Sequence, residues 1–130
     1  MIEHFTSEAF KAAKLPLSNA VRAGDVLYLS GMLGDVPGKF ELLPGGIEAE
    51  TRQIMENIGA LLKQHGLSFD DVFKCTVMLA DMKQWGDFNK VYAQFFKPGR
   101  YPSRSAFGVG GLARGAAVEV EAWAYAPKKK

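Results

Sequence analysis

The hydrophobic pattern of the chain alternates between a period of 2 and a period near 3.6, and the switches mark out its elements. Ala20 to Ala23 and Val26 to Ser30 flank Gly24-Asp25. Asp and Gly tolerate the positive φ of tight turns, so this stretch reads as a two-strand hairpin. In Val26-Leu27-Tyr28-Leu29 both alternating faces are apolar, which predicts cover on both sides. The strand ends at Ser30-Gly31, where the backbone can be reached. Residues 32–46 carry Gly34, Pro37, Gly38, Pro44, Gly45 and Gly46 and read as a turn-rich loop with a short strand at Lys39 to Leu42. Loops of this length in small domains often serve as lids or binding loops.

The clearest helix runs from Ile47 to His65. Ile47, Ile54, Ile58, Leu61 and Leu62 recur at helical spacing with Met55 beside them, and Gly66 is a good stop. Glu48 and Glu50 fall in its first turn, where negative charge suits the helix dipole. Val72 to Ala80 returns to period 2, with Phe73, Cys75, Val77 and Leu79 on one face and Val72, Lys74, Thr76, Met78 and Ala80 on the other. Asp81 is positioned as the N-cap of a second helix, Met82 to Phe96, whose apolar side is Trp85, Phe88, Tyr92, Phe95 and Phe96. Asn89 is the polar residue among these aromatics. The first residues, Met1 to Leu17, have mixed polarity and give no clear assignment.

Pro102 to Tyr125 reads as two strands joined by a Gly-rich connection, a hairpin in outline. In the second strand Val118, Val120, Ala122 and Ala124 form one face; Glu119, Glu121, Trp123 and Tyr125 form the other. An antiparallel register would place Arg104, Ala106 and Glu121 on one side of the sheet. Arg104 and Glu121 then admit two readings. One is a surface ion pair worth ~0–1 kcal/mol. The other is a site for a small anion, in which Gly108, Gly110 and Gly111 leave backbone bare for close approach. The full order is strand, strand, helix, strand, helix, strand, strand. One sheet with both helices on one face is the economical packing. The other face, with Met78, Ala106, Trp123 and Tyr125, stays partly apolar and invites self-association.

At 130 residues with 48% hydrophobic and 23% charged positions, the chain is a single domain, residues 1–130. A net charge of +2 without a basic cluster, apart from the tail Lys128 to Lys130, argues against a nucleic-acid partner. Cys75 is the one cysteine and reads as a small core residue rather than a nucleophile. A lone cysteine and an N-terminus without a signal-peptide core suggest a cytoplasmic protein. No stretch is long and apolar enough to predict a membrane-spanning helix.

With these residues placed, the sequence resembles the RidA/YjgF family of reactive-intermediate deaminases, whose older names include L-PSP endoribonuclease and translation inhibitor. The resemblance rests on Pro102-Ser103-Arg104-Ser105, Gly110, Leu112 and Val118-Glu119-Val120-Glu121-Ala122. It also rests on Ile47-Glu48-Ala49-Glu50-Thr51-Arg52-Gln53, Glu56-Asn57-Ile58, Ser30-Gly31, Asn89, Tyr92, Phe95 and Phe96, and on Pro16, Ser18 and Val21-Arg22-Ala23-Gly24. It implies a chorismate-mutase-like α+β fold, a homotrimer with ligand clefts between subunits, and hydrolysis of 2-imino acids and their enamine tautomers, such as 2-aminoacrylate, to 2-oxo acids and ammonia. No metal or organic cofactor is implied.

Within that reading, the planar Arg104 guanidinium suits a substrate carboxylate. Glu121 matches the position of the carboxylate that orients water. Ser30, Gly31, Asn89, Ala106 and Leu17 fall at ligand-contacting positions. Glu119 divides evenly between a role beside the ligand and a solvent-facing or subunit-contact carboxylate. Two positions depart from the family: many members have tyrosine where this chain has Leu17 and cysteine where it has Ala106. Those departures leave room for another small carboxylate substrate, of the aminomuconate or pyrimidine-breakdown kind, or for a non-catalytic trimer that binds 2-oxo acids. The ribonuclease label is disfavoured by the near-neutral charge and by the positions of His4 and His65, in the N-terminal stretch and at a helix end.

Overall fold

Two strands carry the sheet: Val72–Leu79 (β4) and Val118–Tyr125 (β6) run antiparallel at its centre, and every second residue of each turns into the core. Val118, Val120, Ala122 and Ala124 of β6 are all buried beside Cys75, Val77 and Leu79 of β4. Their small size lets two helices lie close above them. The computed structural model describes residues 1–128; residues 129–130, the end of the basic tail, lie outside the described residues. Ile2–Phe5 (β1), Ala20–Ala23 (β2), Val26–Leu29 (β3) and Ser103–Gly108 (β5) complete a sheet of order β1-β2-β3-β6-β4-β5. Every neighbouring pair is antiparallel except β4 with β5, so the sheet is mixed. The helices are Glu8–Ala12 (α1), Gly46–Gln64 (α2) and Trp85–Tyr92 (α3).

Helix α2 follows its sequence pattern: Ile47, Ile54, Met55, Ile58, Leu61 and Leu62 are buried in one core with the inner rows of β3, β4 and β6. Gly66, at φ +72, closes its C-terminus: its N–H donates to Lys63 O and that of Leu67 to Leu62 O. Glu50 does not stay in solvent near the helix start. It is 7% exposed, and its Oε1 accepts from the Ala117 N–H at 2.9 Å, which ties α2 to the entry of β6. The second helix is shorter than expected. The Asp81 side chain caps a 3-10 turn at Met82–Gln84, the α-helix is Trp85–Tyr92, and a further 3-10 turn at Ala93–Phe95 brings Phe95 and Phe96 against Phe69.

Several expectations are corrected. The last two strands are not a hairpin. β5 pairs with β4 in parallel, outside it, while β6 lies on β4's other side. A parallel pair needs a crossover of a dozen or more residues, and the α3 region supplies it. The connection after β5 then passes the end of β4. Val72 and Phe73 also exchange faces, because a bulge between Val72 and Lys74 shifts the register. Val72 is buried, and Phe73 joins the open face 6.4 Å from Trp123. Ala106 pairs with Val77 and so lies on the helix face. Lys39 to Leu42 forms no strand; the loop makes single bridges, Asp35 with Leu42 and Met32 with Val120. Tyr28 is only half covered, by Trp123. The unassigned N-terminus supplies the edge strand β1.

The 32–46 loop sits on α2 through Gly34, where an added Cβ would fall 2.8 Å from Glu50 O and 2.9 Å from its Cα. Those are helix backbone atoms and cannot swing aside. Gly34→Ala should therefore lower stability by about 1–3 kcal/mol, read as a lower urea midpoint at unchanged m-value.

Candidate active site

Arg104 is placed by the parallel pairing of β5 with β4. It stands opposite Cys75, whose other neighbour across the sheet is Ala122. All three therefore point to the helix side. Glu121 stands opposite Thr76, which in turn faces Ser105, so Glu121 points to the open side. The expectation that Arg104 and Glu121 share a face is overturned within one chain, because it depended on the hairpin register.

On the helix side, Arg104 lies against α3. Its guanidinium carbon is 4.8 Å from the Tyr92 ring centre, 5.5 Å from Phe88 and 5.8 Å from Trp85. These contacts hold a half-buried cation through ring faces and leave its N–H edges free. Among the described residues it makes no ion pair and no side-chain hydrogen bond. A cavity of about 250 Å³ opens beside it, lined by Trp85, Asn89, Tyr92, Tyr101, Pro102 and Arg104. Two buried oxygens in its wall, Asn89 Oδ1 and Tyr92 OH, have no hydrogen-bond partner among the described residues. Burial pushes the Tyr92 phenol well above its ordinary range, so it stays neutral. Unsatisfied polar atoms around an unpaired cation are what an anion with its own donor would complete. A larger depression of about 520 Å³, bordered by Leu43, Arg52, Glu56 and Val91, holds none of the predicted site residues.

On the open side, the carboxylates of Glu119 and Glu121 project from β6. Glu119 lies directly over Gly31: a Cβ there would fall 1.9 Å from Glu119 Oε2. The missing side chain is what admits the carboxylate. Burial raises the Glu119 pKa, and the neighbouring Glu121 charge raises it further. Ser30, beside it, donates from Oγ to Ser18 O at 2.6 Å and from its N–H to Asn19 O at 3.0 Å. Those bonds bring the segment carrying Leu17, itself 42% exposed, to the end of β3. The predicted residues thus fall into two groups, Arg104, Asn89 and Ala106 on the helix side, and Leu17, Ser30, Gly31 and Glu121 on or beside the open side. Among the described residues no three His, Cys, Asp or Glu side chains gather as a metal centre requires. No helix there is long and apolar enough to cross a membrane.

The family model described as endoribonuclease L-PSP matches residues 6–126. The chain belongs to this family. It is 42% identical over 111 residues to the 2-iminobutanoate/2-iminopropanoate deaminase of Mus musculus, covering 85% of this chain and 82% of that one. Its fold matches the Rid-family protein YyfA of Yersinia pestis with a TM-score of 0.87 at 32% identity, over 96% and 99% of the two chains. RidA from an Antarctic Psychrobacter matches with a TM-score of 0.79 at 36% identity, over 85% and 88%.

Glu119, Trp85 and Tyr92 take places that the spacing alone does not give. Glu119 and Glu121 fall on the same strand face, so alternation does not separate them, and the resemblance pointed to Glu121; the Met32–Val120 bridge sets Gly31 beneath Glu119 instead. Trp85 and Tyr92 read as core, whereas they frame the arginine. Cys75 behaves as expected: it is 1% exposed, and burial pushes its thiol up to about 11. Native protein should leave Cys75 unmodified by an aromatic disulfide reagent at pH 8, with one thiol titrating promptly in denaturant; fast native labelling would contradict this placement.

Proposed function

We propose that the chain is a cofactor-independent imine deaminase that hydrolyses 2-imino acids, such as 2-iminopropanoate, and their enamine tautomers to 2-oxo acids and ammonia. The observation that carries this reading is Arg104: a half-buried, ring-clamped guanidinium with free N–H edges and no counter-ion among the described residues. A carboxylate conjugated to C=N is planar and takes two parallel hydrogen bonds from it. The relatives named as deaminases of 2-iminobutanoate and 2-iminopropanoate support the same substrate class.

The water-handling carboxylate is assigned to Glu119 in preference to Glu121. A general base works best with a pKa close to the operating pH, and Glu119 is the one whose pKa burial and a like charge raise. Water attacks C2 of the N-protonated imine as Glu119 takes one of its protons, giving a neutral carbinolamine. Glu119 returns that proton to nitrogen; as the C–N bond breaks, it accepts the hydroxyl proton, the carbonyl forms, and the departing ammonia carries that last proton away as ammonium. Enamine tautomers enter by taking a proton at C3. Arg104 and Glu119 point to opposite sides of one chain, so this reading requires the Arg104 cavity of one copy to meet the Gly31–Glu119 face of another. The homotrimer implied by the family resemblance supplies such a seam. Exposed Phe73, Phe107 and Tyr125 on the open face support burial there.

In an assay with 2-iminopropanoate generated in situ by an amino-acid oxidase, wild type should speed ammonia release and Arg104→Ala should not. Binding of 2-oxobutyrate without turnover would favour a sensor, and RNA cleavage indifferent to Arg104→Ala would defeat the deaminase reading. Glu119→Gln should lower kcat about 10²–10⁴-fold. Activity should fall as pH drops through the raised Glu119 pKa, because the base is then protonated. Glu121→Gln removes the like charge, lowers that pKa, and should move the acid limb of the pH profile to lower pH while retaining turnover. The reverse pattern of the two variants would return the role to Glu121.

A further inference from the structure

The walls of the Arg104 cavity say more than that an acid binds there. Trp85 and Tyr101 stand on its rim, still 46% and 51% exposed although Trp85 lies beside the Arg104 guanidinium and Tyr101 meets Phe96 edge-on at 6.5 Å. Neither is needed by the core: the helix-side core is closed by Phe88, Tyr92 and Phe96. The volume of about 250 Å³ is far larger than a methyl or ethyl group requires. An apolar protein cavity of ~150 Å³ takes up benzene. Asn89 is the only amide among the lining residues, and the remaining lining outside Arg104 is ring, proline or alanine.

We propose that this cavity seats the substrate side chain, and that the chain favours 2-imino acids with aromatic or bulky apolar side chains over 2-iminopropanoate. The inference rests on Arg104 holding the carboxylate, as proposed above. With the acid end on the free guanidinium edge, a ring on the substrate lies between Trp85 and Tyr101 and covers the surface they leave exposed. Ring pairs of this kind favour offset or edge contacts and add to simple burial.

The chemistry of supply follows. Elimination of a β-leaving group from a serine- or threonine-type amino acid yields imines with only a methyl or ethyl side chain. Imines carrying a ring or a branched chain arise by two-electron oxidation at the Cα–N bond of an amino acid, with an oxidase or dehydrogenase and its acceptor taking the hydride. The structure therefore points to amino-acid oxidation as the class of reaction that feeds this site.

The test compares imines made in situ from alanine, leucine and phenylalanine by one amino-acid oxidase, with kcat/KM for ammonia release measured on the full chain. Wild type should prefer the phenylalanine- or leucine-derived imine over the alanine-derived one by about tenfold or more, the scale on which an apolar pocket separates side chains. Trp85→Ala and Tyr101→Ala should each reduce that ratio severalfold, mainly through KM. A preference for the alanine-derived imine overturns the assignment and leaves the deaminase reading standing. So does an unchanged ratio in both variants, or a uniform loss that tracks dissociation of the oligomer by light scattering. No turnover of any imine overturns both.

Discussion

The arrangement depends on one backbone pairing, the parallel ladder that sets Arg104 opposite Cys75 at the sheet edge. A shift of one residue would turn every side chain of β5 to the other face. Arg104 would then leave the rings of α3 and stand among Ser105's present neighbours in the open. The ladder is fixed by what it buries: Ala106 faces Val77, and Gly108 faces Leu79 with the Met82 side chain 3.0 Å from where its Cβ would be. Small residues on β5 let α3 and its 3-10 leader close down on the strand. The glycine at 108 thus serves packing rather than a ligand, while Gly110 has open space around it.

β6 has a different task. Flanked by β3 and β4, it shows only valine and alanine to the helices, so its outer face is free to carry Glu119 and Glu121 without loss to the core. Like charges on one strand two residues apart repel, and partial burial of Glu119 makes its ionised form less favourable still. The strand accepts this because its ladders to β3 and β4 hold its register, and Gly31 gives the carboxylate a place to lie. Glu50, reaching from α2 to the Ala117 N–H, fixes where β6 begins and so which of its residues meets Gly31.

Much of this was legible in the chain. The α2 stripe, the Gly66 stop, the inward row of β6 and the inert Cys75 all follow from local spacing and burial, because in each case the residue's neighbours in sequence determine its surroundings. What was not legible is non-local. Alternation says that Arg104 has a face but not which strand sits beside it, and adjacency in sequence favoured a hairpin over a crossover. The bulge at Val72/Lys74 reversed Val72 and Phe73 for the same reason: one extra residue in a strand leaves no mark on composition. A helical aromatic stripe such as that of Trp85 and Tyr92 looks alike whether it faces valines or a guanidinium. The edge strand β1 has too few apolar residues to announce itself.

The corrected placement makes better chemistry than the expected one. Had Arg104 and Glu121 shared a face, the cation would have been partly neutralised by the carboxylate, and the carboxylate held ionised with a lowered proton affinity. A substrate acid would then have to displace an ion pair, and the base would be too weak to take a proton from water. Facing them apart leaves the guanidinium against ring faces with no ion pair among the described residues, the state in which the proposed substrate acid would meet it. It also leaves Glu119 in a setting that raises its proton affinity toward the range useful for moving a proton. The two side chains are tuned in opposite directions by separate surroundings, and under the proposed reading they meet where a second copy brings its own half to a seam.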